Sequence, residues 1–234
     1  MKVIVSDPIS DEGLDIFKQS NIEIIDATDI EIDENYEQIE SANGWVIRSG
    51  TTLDASIIKK ADLLSVIGRA GVGIDNVDIS AATRKGVVVM NTPDANTISA
   101  AEHTLALLLS LSRNVSIGHH SLLAGNWDRQ KFVGSEIRNK TLGIVGLGKI
   151  GREVMQRAQG FGMKIIGYDP FIKEDMFRSD EIILLELDEL VEKSDFITVH
   201  IPLTTNTENL FDYKMLSKMK KEARIINVAR GGII

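Results

Sequence analysis

The sequence predicts an α/β protein built from two doubly wound parallel-sheet domains, and three observations predict it. Short β-branched runs alternate with helical stretches from Lys2 onward. The candidate strands are continuously apolar, as expected of parallel strands covered by helices on both faces. The series is interrupted once, by the turn formers Asn91-Thr92-Pro93-Asp94-Ala95-Asn96, and then begins again.

In the first series Val3-Ile4-Val5, residues 22–25, Trp45-Val46-Ile47, residues 64–67 and residues 87–90 read as strands. Residues 12–19, 35–42, 54–60 and 78–85 read as the helices between them. That pattern makes residues 1–95 a flavodoxin-like domain. The longest helical pattern follows, over residues 97–124, with Gly118 as its point of irregularity. Leu105, Leu107, Leu108, Leu109 and Leu111 make this helix apolar on more than one side. It therefore needs more than one partner surface, either in a domain core or in a seam between domains or subunits. A second series runs strand 141–145, helix 150–159, strand 164–168, helix 187–193, strand 196–200, helix 213–219 and strand 224–228. Residues 96–234 are thus expected to form a second domain of the doubly wound type.

Composition narrows the class. The 234 residues are 43% hydrophobic and 26% charged, with a formal net charge of −8. An acidic chain without a basic block gives no support to nucleic-acid or anionic-membrane partners. The absence of cysteine removes disulfides, thiolate nucleophiles and Cys-based zinc sites together. The most apolar stretch, residues 104–111, falls short of the roughly 20 residues a spanning helix needs. The start is too quickly charged for a signal peptide, so a cytoplasmic protein is expected. Nothing in the pattern of His, Asp and Glu suggests a metal site.

Gly146-Leu147-Gly148-Lys149-Ile150-Gly151 fits G-x-G-x-x-G between an apolar strand and a helix. Gly146 permits the tight turn, Gly148 lets backbone approach a pyrophosphate, and Gly151 lets the helix pack close to the strand. Free N–H groups at the helix start then face the phosphates. The next strand ends in Asp169, 23 residues after Gly146. A carboxylate there accepts hydrogen bonds from ribose hydroxyls and repels a 2′-phosphate, so NAD is expected over NADP. Residues 96–234 therefore read as a Rossmann domain that binds NAD.

Further segments carry a family resemblance. They are Val46-Ile47-Arg48-Ser49-Gly50-Thr51, the run from Ile67 to Asp78 (IGRAGVGIDNVD), Val89-Met90-Asn91-Thr92-Pro93 and Gly167-Tyr168-Asp169-Pro170. They continue with Val199-His200-Ile201-Pro202-Leu203-Thr204 and Ile226-Asn227-Val228-Ala229-Arg230-Gly231-Gly232. Together with the glycine motif, in this order across the whole chain, the sequence resembles the D-2-hydroxyacid dehydrogenases, and among them those acting on 3-phosphoglycerate in serine biosynthesis. The resemblance implies a substrate-binding domain over 1–95, an NAD-binding domain over 96–234 that is incomplete at its C-terminus, and hydride transfer between nicotinamide and C2 of the acid.

Site roles follow by the same resemblance. Arg230 matches the catalytic arginine that holds the substrate carboxylate. Its place after an apolar strand agrees with a ligand site at the carboxyl end of a sheet, and its guanidinium can clamp a carboxylate with two parallel bonds. Arg48, Ser49, Gly50, Arg69 and Asn96 match substrate contacts, with Arg69 the better match for a phosphate. Gly146, Gly148, Lys149, Ile150, Gly151, Asp169, Ile201, Val228, Ala229, Arg230 and Val72 match positions that line the cofactor. Val72 and Ile201 are apolar where relatives often carry threonine. Arg129, after Trp127, resembles an arginine that reaches a neighbouring subunit's site, and a homodimer through residues 97–124 and the Trp127 region is expected.

Proton transfer needs a group that titrates near neutrality. The resemblance assigns it to a histidine steadied by a glutamate, both downstream of the Ala229–Gly232 segment. The chain thus reads as a truncated member of the family that binds NAD, with turnover by the 234-residue chain itself left open. Ending on Gly-Gly-Ile-Ile is expected to leave two exposed apolar residues and an uncovered sheet edge. The competing function is a corepressor-like NAD-sensing module. His103, His119 and His120 are expected in surface or interface roles, and His200 at a strand end in a structural one.

Overall fold

Continuous apolar runs do become parallel strands. A computed structural model describes residues 1–29, 36–172 and 182–234, and these divide into two compact units, Met1–Asn96 and Thr97–Ile234. In the first unit the strands are β1 (Lys2–Val5), β2 (Glu23–Asp26), β3 (Gly44–Ile47), β4 (Val66–Arg69) and β5 (Val88–Asn91). They form one sheet in the order β2-β1-β3-β4-β5, with every neighbouring pair parallel. That is the flavodoxin-like order, whose direction of winding reverses between β1 and β3.

The connecting helices are α1 (Asp11–Gln19), α2 (Tyr36–Ser41), α3 (Ala55–Lys60) and α4 (Ile79–Lys85). The first residue of the helix expected over 35–42 lies outside the described residues. Local signals start and stop these helices. Asp54 accepts from the N–H groups of Ser56 and Ile57 ahead of α3, and Asp78 accepts from Ala81 ahead of α4. Each such cap is worth about 1 kcal/mol. Gly86 closes α4 with φ at 76°. The core between sheet and helices holds Trp45, Ile47, Leu53, Ile58 and Ile67, all fully buried.

The second unit opens with α5 (Thr97–Arg113) and α6 (Val115–Leu123). The single helix expected over 97–124 is therefore two, and the break falls at Asn114 rather than Gly118. Asn114 takes the left-handed conformation, φ 55°, which asparagine tolerates better than most residues. The carbonyl of Ser112 near that break is taken by the N–H of Ser135 at 2.8 Å, where the chain crosses the end of α5. Gly118 sits inside α6. Leu105 and Leu108 of α5 are buried in this unit's core, and Leu107 and Leu109 pack against it.

Beyond a 3₁₀ turn at Arg129–Phe132 come β6 (Thr141–Val145), α7 (Lys149–Gly160), β7 (Lys164–Tyr168), β8 (Ile183–Leu184) and α8 (Leu187–Lys193). The series ends with β9 (Phe196–Val199), α9 (Tyr213–Leu216) and β10 (Arg224–Asn227). The sheet order is β10-β9-β6-β7-β8, again all parallel. Two-residue β8 was not expected, because Ile183-Leu184 is too short to show periodicity.

The end of the chain corrects one expectation. Gly231–Ile233 forms a 3₁₀ turn, and Ile233 is fully buried among Val199, Phe211 and their neighbours, so only Ile234 of the pair is exposed. Phe211 donates its N–H to the Ile233 carbonyl at 3.0 Å, and Asn209 donates to Gly232 at 2.8 Å. Those bonds fold the segment back onto the unit. β10 is still an edge of its sheet.

Candidate functional site

The carboxyl edge of the second sheet is levelled by register. Asn227 pairs with Val199, Val199 with Val145, and Val145 with Tyr168. The loops that follow this row leave from one line: Val228-Ala229-Arg230 after β10, His200-Ile201 after β9, Gly146-Leu147-Gly148 after β6 and Asp169 after β7. The winding reverses between β6 and β9, and that switch point is where such sheets bind ligands. The structure thus brings Gly146, Gly148, Lys149, Ile150, Gly151, Asp169, Ile201, Val228, Ala229 and Arg230 to one edge of one unit.

Each motif glycine has a separate physical reason. Gly146 has φ 93°, and a Cβ there would lie 2.6 Å from the His200 carbonyl oxygen. A Cβ on Gly151 would lie 2.1 Å from the Gly146 carbonyl oxygen, so α7 could not seat against the turn. Gly148 has an ordinary extended backbone, φ −67° and ψ −164°, and nothing lies within 4 Å of where its Cβ would be. It leaves open space at the start of α7, next to N–H groups that no side chain caps. Lys149 and Ile150 form the first turn of that helix. An open cradle at the positive end of a helix fits a diphosphate.

Asp169 closes this edge from β7. One carboxylate oxygen accepts from the Leu147 N–H at 2.9 Å and the other from the Phe171 N–H at 3.0 Å. The side chain therefore also fastens the glycine turn to the end of β7. At the other end, Asn227 brackets the loop that carries Arg230. Its side-chain oxygen accepts from the Ala229 N–H at 2.9 Å, and its Nδ2 donates to the Arg230 carbonyl at 2.7 Å. Arg230 is half-buried, and its guanidinium donates to the Ala229 carbonyl at 2.8 Å.

His200 is largely buried behind this edge, with Nε2 2.9 Å from the Thr198 hydroxyl. Burial disfavours its charged form and lowers its pKa from 6.5 to about 4. His103, His119 and His120 are exposed on α5 and α6.

The first unit has its own switch point, between β1 and β3, and Arg48, Ser49 and Gly50 emerge there, exposed. Arg69 is the last residue of β4 and pairs with Ile47. Its side chain folds over Gly71, where a Cβ would lie 1.4 Å from Nη1, and its buried Nε has no hydrogen-bond partner. Val72 and Asn96 also belong to this unit. The Val72 carbonyl accepts from Asn91 Nδ2 at 2.7 Å, and Asn96 is exposed.

Three residues at these edges escaped the sequence reading: Asp7, Asn76 and Asn227. Asp7 and Asn76 hold the Arg48–Thr51 turn from opposite sides. Asp and Asn at strand ends or in the loops beyond them look like ordinary turn formers. For Asp7 the usable signal was Gly50, where a Cβ would lie 2.3 Å from the Asp7 carboxylate.

Fold and site together define a Rossmann-type dinucleotide-binding unit preceded by a flavodoxin-like one. Residues 105–234 match the family model of the D-isomer specific 2-hydroxyacid dehydrogenase, NAD binding domain, and the chain belongs to that family, whose cofactor is NAD. Over 235 residues the chain is 45% identical to the D-3-phosphoglycerate dehydrogenase of Methanocaldococcus jannaschii, covering 100% of this chain and 45% of that protein. It is 46% identical over 236 residues to the Synechocystis D-3-phosphoglycerate dehydrogenase, covering 100% of this chain and 42% of that one. The chain therefore spans less than half the length of these relatives. The fold is similar to that of an NAD-dependent formate dehydrogenase from Staphylococcus aureus in complex with NAD, with TM-score 0.89 and 32% identity, covering 100% of this chain and 75% of that one. Among the described residues no cluster of His, Asp and Glu has the form of a metal site, and no helix is long and apolar enough to cross a membrane.

The buried His200 makes a pH prediction. Folded His200 stays neutral down to about pH 4, whereas the unfolded chain takes up the proton near 6.5. The unfolded state binds more protons in that window, so stability falls as pH drops from 6.5 toward 4. The expected loss from this residue is on the order of 2 kcal/mol between pH 7 and pH 4.5. Denaturant unfolding of wild type and His200→Gln at both pH values checks it. The variant should lose less stability on acidification, and equal losses would remove the assignment.

Proposed function

We propose that the protein is an NAD-dependent dehydrogenase of D-2-hydroxyacids and that its substrate is 3-phosphoglycerate, at the entry to serine biosynthesis. The observation that carries this reading is the common edge shared by the glycine turn, Asp169 and Arg230. The glycine turn leaves β6 and Arg230 follows β10, two strands away along the same carboxyl edge, which supports reading the first as a nucleotide cradle and the second as a carboxylate-binding guanidinium. The relatives named D-3-phosphoglycerate dehydrogenase support the choice of acid.

In this reading the start of α7, with Gly146, Gly148, Lys149, Ile150 and Gly151, holds the diphosphate, and Asp169 accepts from the adenosine ribose. Ile201, Val228 and Ala229 line the same edge, and the family resemblance adds Val72. When bound, NAD supplies the acceptor for the hydride leaving C2. Arg230 holds the substrate carboxylate and stabilises negative charge developing on the C2 oxygen. Arg48, Ser49, Gly50 and Asn96 contact the acid, and Arg69 takes its phosphate. The unpartnered Nε of Arg69 supports an anion as its complement. His200, which burial keeps neutral near pH 7, carries no imidazolium proton to give, and we do not assign it the acid role. The family pattern assigns the proton to a histidine–glutamate pair downstream of Ala229-Arg230-Gly231-Gly232. The roles of residues 1–95 as substrate domain and 96–234 as nucleotide domain, and a cytoplasmic location, belong to the same proposal.

Calorimetric titration with NAD and NADP tests the cofactor half. NAD should bind at least about tenfold more tightly, and Asp169→Ala should weaken NAD and narrow that gap. Equal affinities in the wild type contradict the role of Asp169. In the full-length protein, NADH oxidation with 3-phosphohydroxypyruvate should exceed that with pyruvate. Arg230→Ala should lower kcat/KM at least about 100-fold and leave the Kd for NAD within about threefold. A parallel loss of NAD affinity would reassign Arg230 to the nucleotide.

The second unit also exposes Leu111, Val115, Ile117, Leu122, Leu123 and Trp127, the last with 75% of its surface free. A run of this kind needs cover, and the proposal includes a homodimer formed through it. Light scattering at micromolar concentration should give twice the chain mass. A monomer contradicts the proposal.

A further inference from the structure

The backbone of the Arg48–Thr51 turn is held by two side chains of opposite hydrogen-bonding character. Asp7 follows β1, is 7% exposed, and brings one carboxylate oxygen to the N–H of Arg48 at 2.6 Å and of Thr51 at 3.1 Å. Asn76 approaches from the segment after β4 and donates Nδ2 to the carbonyl of Arg48 at 2.6 Å and of Thr51 at 2.5 Å. Both polar groups at each end of the turn are thereby taken, the donors by an anion and the acceptors by an amide. Among the described residues, the N–H groups of Ser49 and Gly50, between these ends, meet no protein acceptor.

The surroundings fix both the clamp and the loop. Thr51 is 5% exposed, and its hydroxyl bonds Ser6 Oγ at 2.9 Å. Ser6 Oγ also accepts from the indole N–H of the fully buried Trp45 at 2.9 Å. The turn therefore rests on a buried polar network whose members satisfy one another. The other oxygen of Asp7 lies 2.3 Å from where a Cβ on Gly50 would be, so Gly50 is needed for the carboxylate to reach under the turn. A buried carboxylate behind a loop that meets anions would be expected to repel them. Here two backbone donors accept its charge on the inner side.

We propose that Asp7 and Asn76 are positioning residues for substrate binding: they preset the Arg48–Thr51 turn so that Arg48, Ser49 and Gly50 meet the anionic acid without reordering. The inference rests on the reading of this turn as a substrate contact. Its directional content is specific, because position 7 must accept and position 76 must donate.

Isosteric exchanges separate this from mere packing. Asp7→Asn keeps an oxygen that accepts both N–H groups, whereas Asn76→Asp puts an anion against two carbonyl oxygens and donates to neither. The test measures KM and kcat for 3-phosphohydroxypyruvate and Kd for NAD in the full-length protein, with thermal unfolding alongside. Asn76→Asp and Asp7→Ala should raise KM at least about tenfold, with kcat and the Kd for NAD within about threefold. Asp7→Asn should stay within about threefold of wild type in KM. If Asp7→Ala does not fold, Asn76→Ala at the half-buried position replaces it, with the same rise in KM expected. Unchanged KM in Asn76→Asp, or equal impairment of Asp7→Asn and Asn76→Asp, overturns the inference and leaves the proposed function standing. Wild-type protein that binds NAD but turns over no 2-keto acid overturns that function and the inference with it.

Discussion

The contact on which the second unit depends is the approach of α7 to the turn that leaves β6. At Gly151 the helix passes so close to the Gly146 carbonyl that a methyl group would overlap it. Only with that approach does the start of α7 stand at the edge of the sheet, with its N–H groups directed outward. The parallel register then does the rest. Because Val145, Val199, Asn227 and Tyr168 lie in one row, every loop after that row emerges at the same height. A glycine turn, an acidic residue and an arginine far apart in sequence come to lie along one edge without any long-range device beyond the sheet itself.

The two units solve a common problem in similar ways. The loops proposed to bind ligands leave some backbone groups unpaired, and unpaired groups weaken a loop. In both units side chains at or beyond the strand ends hold a loop by its backbone: Asp7 and Asn76 around Arg48–Thr51, Asn227 around the Ala229–Arg230 segment, and Asp169 at Leu147. Each bond contributes only about 1 kcal/mol to stability. Its larger effect is that less ordering remains to be done when a ligand arrives.

How much was legible followed from the kind of force involved. Strands such as β6, β7 and β9 were read almost to the residue, because burial on both faces demands an unbroken apolar run. The glycine motif was legible because steric exclusion admits no other residue type at Gly146 and Gly151. The break at Asn114 was not, since it depends on Ser135 and the crossing chain reaching the end of α5 from elsewhere in the sequence. Ile233 was misjudged for the same reason: its burial depends on Phe211 and Val199, which only the tertiary fold brings to it. Asp7, Asn76 and Asn227 look like turn residues in isolation. Their partners lie on other loops, or in a turn whose shape the sequence does not spell out.

In the proposed function the open space at Gly148 is a seat for the cofactor diphosphate rather than a requirement of folding. Gly148 alone among the three motif glycines has no neighbour within 4 Å of a Cβ position, and unlike Gly146 it has no positive φ. Calorimetric titration of Gly148→Val with NAD, beside thermal unfolding of the same variant, separates the two possibilities. Unfolding should be unchanged and NAD affinity weakened by at least about tenfold, as the side chain fills the space that backbone leaves to the pyrophosphate. A variant that unfolds like the wild type and binds NAD equally well would contradict that role.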